Sequence, residues 1–309
     1  MDIFLQQVLN GLVLGSVYAL VALGYTMVYG ILGLINFAHG DVVMVGALTA
    51  LSAMTVVAAA GLGLPGPLVL MLALVVSMGV CMLLGFSIER IAYRPLRRAP
   101  RLAPLITAIG VSILIQNVAM QIWGRGYRTF PALLTPTPHA VFGATITDVQ
   151  IFIILVSALL MSGLLLLVHF TRLGRAMRAT SENQLVAGLM GVNINKIISA
   201  TFVIGSALAA IAGVLVAANY SIAHYYMGFM LGLKAFTAAV LGGIGNLGGA
   251  MLGGVLLGLI ESIGAGYIGD LTGGYLGSNY QDVFAFMVLI CVLVFRPTGL
   301  LGERVSERA

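Results

Sequence analysis

Long apolar runs alternate with short polar stretches along this chain. Nine of the runs approach or exceed the length that a helix needs to cross a bilayer, which is about 20 residues. The pattern predicts an all-α polytopic membrane protein with about nine transmembrane helices in a single transmembrane domain, residues 1–309. The seventh run is short and rich in glycine, and eight spans result if it is re-entrant. The runs cover, approximately, residues 4–31, 41–59, 68–88, 102–123, 151–170, 197–219, 227–241, 242–268 and 282–295.

The composition excludes a soluble protein. Of the 309 residues, 60% are hydrophobic and 8% are charged, and the mean hydropathy is +1.09. A soluble domain cannot bury so much apolar surface. The net charge of +5 does not indicate nucleic-acid binding, because the basic residues cluster beside apolar runs, where they contact anionic lipid headgroups. Cys81 and Cys291 lie within apolar runs and are interpreted as packing residues without a disulfide.

Clusters of basic residues predict the orientation in the membrane. Cytoplasmic loops carry an excess of arginine and lysine. Nine spans, with the N-terminus outside and the C-terminus in the cytoplasm, place all three clusters on the cytoplasmic side. Arg125 and Arg128, in the long proline-containing loop 124–150, then lie outside and count mildly against this placement. The three clusters are Arg90, Arg94, Arg97, Arg98 and Arg101; Arg172, Arg175, Arg178 and Lys196; and Arg296, Arg304 and Arg308.

The second cluster belongs to the polar stretch 171–196, which contains a short predicted helix. Ser181 is the expected N-cap, and Gln184, three residues later, completes a capping box. Gly191 fits the left-handed position that ends such a helix. The pattern therefore predicts a helix near residues 182–190 on the cytoplasmic side. A helix that docks on a partner and a solvated loop with one helical turn both fit it.

A second polar interruption, Gly33–Asp41, separates the first two apolar runs. It carries Asn36, His39 and Asp41. Non-helical backbone at membrane depth is tolerated where it is buried in protein or lines a wet cavity. The interruption is therefore either an ordinary polar loop or a broken-helix entrance that lines a transport path.

Glycines at four-residue spacing predict close helix packing. Gly11 and Gly15 lie in the first run, and Gly245, Gly249 and Gly253 lie in the glycine-rich segment 242–258. Small residues at this spacing allow the backbones of membrane helices to approach closely. Pure packing and a contact with substrate are both compatible with the second set.

Few residues within the predicted spans carry an ionisable side chain. Lys234 and Glu261 are the ionisable residues expected within spans seven and eight, where each must face the bundle interior or a wet cavity, or be paired. We interpret them, with the interruption above, as candidates for a translocation path. Their scarcity argues against ion-coupled transport and for energy supplied from outside the chain. Phosphate-loop and metal-ligand motifs are absent, so neither an enzyme nor a bound cofactor is expected.

Six segments, spread over nearly the whole chain, are distinctive together: YALVALGYTMVYGILGLINFAHGD (18–41), SIERIAYRPLR (87–97), GRAMRATSENQLVAGLMGVN (174–193), TFVIGSALAAIAGVL (201–215), KAFTAAVLGGIGNLGGAMLGG (234–254) and RPTGLLG (296–302). With these segments the chain resembles the permease subunits of ABC importers for branched-chain amino acids, in particular their H-type subunit.

The resemblance implies an ABC importer permease fold in a bacterial inner membrane. It also implies a second related permease, two cytoplasmic ATPases that bind ATP, and a periplasmic binding protein. The stretch 171–196 resembles the family's coupling segment, with Glu182, Ala187, Gly188 and Gly191 on matching positions. Small side chains at Ala187 and Gly188 would let the helix enter an ATPase groove.

Three functions remain open at this stage. The first is a permease for leucine, isoleucine and valine. The second is a permease of the same family for urea, short amides or another small solute, because residues 127–146 depart from the family pattern in the outer loop. The third is a channel or ion-coupled carrier that works alone, which the coupling-like helix and the few intramembrane charges disfavour.

Overall fold

The structure is a computed structural model that describes most of the chain. The described residues are 2–61, 63–97, 99–100, 102–132, 137–141, 143–273 and 280–302. Four arginines of the basic clusters lie outside them: Arg98, Arg101, Arg304 and Arg308.

Helices dominate the described residues, as the hydrophobic pattern predicts. Seven helices are long and apolar enough to span a membrane, and two further apolar helices, 227–242 and 281–295, are shorter. The helices are α1 (Asp2–Leu32), α2 (His39–Ala59), α3 (Gly66–Ser87), α4 (Leu102–Trp123), α5 (Asp148–Phe170), α6 (Arg172–Glu182), α7 (Gln184–Leu189), α8 (Ile194–Tyr220), α9 (Met227–Gly242), α10 (Leu247–Leu271) and α11 (Gln281–Phe295).

The first helix is the centre of the bundle. Of the apolar window of α1, 89% is buried, and the helix packs mainly on α10, α8 and α9. The corresponding value is 28% for α3, α4 and α5, so most residues of these apolar windows are at least partly accessible. These three helices therefore form the periphery of the chain, where lipid or another membrane subunit can cover them.

Glycine allows the closest approach of α1 to α10. A Cβ atom on Gly15 would lie 2.7 Å from Val255 Cα, and one on Gly11 would lie 2.8 Å from Leu259 Cα. Both distances are shorter than a side chain tolerates, so the two backbones touch where glycine removes the side chain.

The glycines before and within α10 differ in what they do. A Cβ on Gly249 or Gly253 would collide with the backbone of α9, at Gly242 and at Ala238 respectively. Gly245 is an exception, and its prediction as a helix-packing residue is wrong. It lies in the connection before α10 with φ +99°, and a Cβ there would meet no atom within 4 Å. Its glycine suits a backbone turn, because φ in this range disfavours side chains.

Helix α3 continues beyond Ser87 with a different winding. A π-helical turn, Ile88–Tyr93, and a 3₁₀ turn, Arg94–Leu96, follow it. Pro95 lacks an amide hydrogen and cannot extend a regular helix. The wider turn places Glu89 and Tyr93 in buried positions at the end of the bundle that carries the basic clusters, which we call the basic end.

Two small antiparallel ribbons lie at the opposite end of the bundle. Strand β1 (Arg128–Thr129) pairs with β4 (Ile222–Ala223), and β2 (Pro138–Val141) pairs with β3 (Ala144–Thr147). A capping box of Thr147 and Gln150 then starts α5. Strand pairing therefore orders part of the long loop 124–150, of which residues 133–136 and 142 lie outside the described part.

Candidate functional site

The polar stretch 171–196 folds as the two short helices α6 and α7, followed by the start of α8. Thr171 Oγ1 accepts a hydrogen bond from Gly174 N at 3.0 Å, and Asn183 Oδ1 accepts one from Val186 N at 3.0 Å. These side chains cap amides that the first turn of a helix leaves without partners. The stretch is a structured unit, which we call the coupling segment.

The predicted capping box of Ser181 and Gln184 is wrong. Ser181 Oγ donates to Arg178 O within α6 at 2.8 Å. Asn183 is the residue that caps α7, with an extended backbone at φ −157°. Asparagine favours such a cap over a helix interior, because its short amide side chain can bond to a nearby backbone amide. The helix predicted near 182–190 is consequently split at Asn183.

The outer surface of α7 is apolar and exposed. Leu185, Leu189 and Met190 are 73%, 79% and 79% exposed, and Gly188 lies on the same exposed side. Exposed apolar groups on this scale mark surfaces that contact another protein. Ala187, in contrast, is 4% exposed and faces the body of the chain. This corrects the expectation that Ala187 itself enters a partner's groove.

Helix α7 is capped at its C-terminal end and bonded to the bundle at its N-terminal end. Gly191, at φ +87°, has the left-handed conformation predicted for it, and Val192 N donates to Ala187 O at 3.0 Å across the helix end. At the other end, Gln184 Nε2 donates to Ile31 O at 2.7 Å. The coupling segment thus holds the last turn of α1.

A second polar link joins the end of the coupling segment to the end of α3. Arg97 donates to Asn195 Oδ1 at 2.7 Å and forms an ion pair with Glu89. Ser199 Oγ donates to the other oxygen of Glu89 at 2.6 Å. Glu89 is fully buried, and a buried carboxylate requires such partners. The start of α8 is therefore clamped to the π-helical turn.

The three polar residues of the interruption between α1 and α2 contact different helices. Asn36 Oδ1 accepts from Tyr93 OH at 3.0 Å, in the π-helical turn. His39 is 2% exposed and lies against Gly24 of α1 and Gly205 of α8. Asp41 is 1% exposed and belongs to the first turn of α2. In this conformation Asn36 and His39 are packed inside the chain.

The structure brings Lys234 and Glu261 together. Lys234 Nζ lies 2.6 Å from Glu261 Oε1 and 2.7 Å from Asp282 Oδ1, and Tyr18 OH donates to Glu261 Oε2 at 3.0 Å. The cluster joins α1, α9, α10 and α11. Pairing is one of the ways in which a charge persists at membrane depth. These residues therefore form an electrostatic tie between four helices.

Several residues of these networks were not candidates at the sequence level, among them Tyr93, Arg97 and Asp282. The same is true of Gln116, whose Nε2 atom donates to Asp41 Oδ1 at 3.0 Å. Asp282 offered a signal, because it begins the last apolar run and Lys234 needed a counter-charge. Tyr93 and Gln116 offered none, since their partners are 57 and 75 residues away in the chain. Within the described residues, no group of three histidine, cysteine or acidic side chains is placed to hold a metal ion.

Known proteins are similar to this chain along nearly its whole length. Residues 7–293 match the family described as branched-chain amino acid transport system / permease component. The chain is 49% identical over 309 residues to the high-affinity branched-chain amino acid transport system permease protein BraD of Pseudomonas aeruginosa, covering 99% of this chain and 98% of that protein.

Two further relatives extend the comparison. The permease protein LivH of Escherichia coli K12, of the same kind of system, is 45% identical over 310 residues, which cover 99% of this chain and 97% of that protein. The ribose import permease protein RbsC of Escherichia coli K12 is 33% identical over 135 residues, which cover 41% of this chain and 40% of that protein. With a match along nearly its entire length, this chain belongs to the family of branched-chain amino acid transport system permease components.

Proposed function

We propose that this chain is a transmembrane permease subunit of an ABC importer that moves leucine, isoleucine and valine into the cytoplasm. The observation that carries the proposal is the near full-length similarity to BraD and LivH, at 49% and 45% identity. Both relatives are named for branched-chain amino acid transport. The alternative of urea or short amides finds no support among the similar proteins.

The partners follow from the same proposal. A second related permease completes the path, two cytoplasmic ATPases bind and hydrolyse ATP, and a periplasmic binding protein delivers the substrate. The chain is a multi-pass protein of the inner membrane, with nine spans, the N-terminus outside and the C-terminus in the cytoplasm. The seven long helices and the two shorter ones, α9 and α11, support this count. Expressed alone, the chain should not transport.

The coupling segment is the proposed contact with an ATPase. Helix α7 offers an exposed apolar surface at the basic end of the bundle, which the positive-inside rule assigns to the cytoplasm. Gly188 allows a partner to approach the backbone on this side. Gln184 and Asn195 then connect the segment to α1 and to the π-helical turn, so that a displacement of α7 reaches the membrane-embedded helices.

The proposed translocation path runs beside the interruption between α1 and α2. Asp41 is the charged residue of that interruption, and Asn36 and His39 hold its backbone against α3 and α8. Lys234 and Glu261 hold the bundle together through their ion pair with Asp282. An amino acid zwitterion needs polar partners along its route without a tight site that would delay release.

Reconstitution tests the proposal directly. The chain is purified with its partner permease and two ATPases, placed in liposomes, and supplied with the binding protein and ATP. We expect uptake of radioactive leucine that requires all of these components. Uptake by this chain in liposomes without an ATPase would refute the importer assignment. Transport of urea or acetamide, with no transport of leucine, would refute the assigned substrate.

A further inference from the structure

A pocket with aromatic walls lies beside Asp41, between α1, α4 and α9. Its volume is about 210 Å³, which is below the roughly 300–1,000 Å³ of pockets for drug-sized ligands. Four rings line it: Tyr25, Phe37, Tyr226 and Phe229. The size and the apolar lining suit the side chain of a small aliphatic molecule. We call this cavity the aromatic pocket.

The polar end of the aromatic pocket is formed by Ser112 and Gln116 of α4. Gln116 Nε2 donates to Asp41 Oδ1 at 3.0 Å and to Ser112 Oγ at 3.2 Å. Because both contacts use the amide nitrogen, the Gln116 oxygen remains available to accept a hydrogen bond from a ligand. The pocket therefore presents an acceptor backed by a carboxylate.

The Asp41 carboxylate can accept a further hydrogen bond. It is 1% exposed, and its Oδ2 atom has no hydrogen-bond partner among the described residues. The four ion pairs found in the described part of the chain do not include it. A buried carboxylate without a counter-charge is unfavourable, and binding of a cation relieves this cost.

The two exposed flanks of α4 differ in their relation to the pocket. Ile109 and Ile113 are exposed and line it, and Asn117 continues their flank with its amide nitrogen donating to Ile113 O at 2.8 Å. Leu114 and Val118 are exposed on the other flank, beside Gln121, and do not line the pocket.

We propose that the aromatic pocket is a transit subsite for the amino acid substrate. The aliphatic side chain of the substrate lies against the rings. Its α-ammonium donates a hydrogen bond to the Gln116 oxygen, and the negative charge of Asp41 balances the positive charge. Aromatic faces also attract a cation directly. A single carboxylate, without a matching cationic group for the substrate's carboxylate, gives a weak site, as transport requires. This inference rests on the proposed function, because it assigns the zwitterion as the occupant.

Charge-selective thiol chemistry tests the subsite in the complete transporter. Ile113→Cys is introduced in a Cys81→Ala, Cys291→Ala background. Its reaction rates are measured with aminoethyl methanethiosulfonate, which carries an ammonium, and sulfonatoethyl methanethiosulfonate, which carries a sulfonate. The ratio of the two rates is divided by the ratio for free cysteine. Leu114→Cys is the matched control, because Leu114 is similarly exposed in the chain but does not line the pocket.

We expect Ile113→Cys to prefer the ammonium reagent and Leu114→Cys to react slowly with both. Adding Asp41→Asn should lower the preference about fivefold or more, because it removes one negative charge from a low-dielectric site. Asp41→Glu, which keeps the charge, should retain the preference. An unchanged preference in Asp41→Asn, or equal reactivity of the two cysteines, would overturn the subsite.

Transport gives an independent measurement. Leucine uptake by the complete transporter should fall about tenfold in Asp41→Asn, since the negative charge that compensates the substrate's ammonium is lost from a low-dielectric site. Unchanged uptake would also overturn the subsite. If the unmodified transporter imports no leucine, the proposed function fails. The thiol ratio then still shows whether the pocket selects an ammonium.

Discussion

Gln184 Nε2 donates a 2.7 Å hydrogen bond to the main-chain carbonyl of Ile31, 153 positions earlier in the chain. The donor belongs to the exposed helix α7, and the acceptor lies in the last turn of α1, immediately before the interruption that carries Asn36. A displacement of α7 therefore acts on the end of the central helix. The bond gives the coupling segment a direct connection to the bundle besides its covalent links to α5 and α8.

Gln184→Leu should reduce the coupling between ATP hydrolysis and transport. Leucine keeps a high helix propensity and a similar size but cannot donate to Ile31. In the reconstituted transporter, we expect ATP hydrolysis stimulated by the binding protein to persist while the leucine imported per ATP falls several-fold. Ser181→Ala is the control, because the Ser181 hydroxyl bonds only within α6. An unchanged ratio in Gln184→Leu would show that the bond is merely local.

Substitutions at Gly188 should separate helix stability from docking. A Cβ there would meet only Ile194 Cγ1, at an ordinary 3.9 Å. Gly188→Ala should therefore stabilise α7 by roughly 1 kcal/mol, through its better helix propensity, and preserve transport. Gly188→Trp should hold α7 away from the ATPase and abolish stimulated ATP hydrolysis, with the protein still in the membrane. Normal leucine uptake by the Trp variant would mean that α7 makes no such contact.

Removal of Lys234 should destabilise the bundle strongly. Lys234→Met leaves Glu261 and Asp282 without their common counter-charge, and breaking a buried ion pair from one side costs about 3–5 kcal/mol. Thermal unfolding in detergent should occur at a clearly lower temperature. Asp282→Asn should shift it less, because Lys234 keeps Glu261 as a partner. Equal effects of the two substitutions would contradict this order.

Glycine-to-alanine changes on α1 and α5 should have opposite effects. Gly15→Ala brings a Cβ to 2.7 Å from Val255 Cα, so α1 and α10 must separate and thermal stability must fall. Gly163→Ala adds a Cβ that meets no atom within 4 Å, and it should be neutral or stabilising by roughly 1 kcal/mol. Comparing the two unfolding temperatures in one preparation checks the prediction. A loss of stability at both positions would contradict it.

The helical architecture could be predicted because the hydrophobic pattern is local. The fourth run, for example, was expected over 102–123 and is the helix Leu102–Trp123. The cap at Asn183 was missed for a local reason as well, since Ser181 and Asn183 are both good caps two residues apart. Packing favours Asn183, because Gln184 then bonds to Ile31 instead of completing a capping box with Ser181.

The candidate site could be predicted only in part. Charges inside apolar runs stand out in a sequence, so Lys234 and Glu261 were found, and Asp41 was found because it lies in a polar interruption between two such runs. Their neutral partners do not stand out: Gln116 is one of many amides, and its position beside Asp41 depends on how α4 packs on α2. Gly245 shows that a spacing pattern can also suggest a helix contact that the fold does not make. It continues the four-residue spacing of Gly249 and Gly253, yet it lies before the helix begins.

The glycine contact between α1 and α10 has a consequence for biosynthesis. Helix α1 leaves the ribosome before α10 and is the most deeply buried of the long helices, and its closest neighbour is made more than 200 residues later. Until α10 enters the membrane, Gly11 and Gly15 of α1 are exposed to lipid or to a chaperone. Final assembly of the core is therefore a late event that follows insertion, and a chain truncated before Leu247 would leave its central helix without its main neighbour.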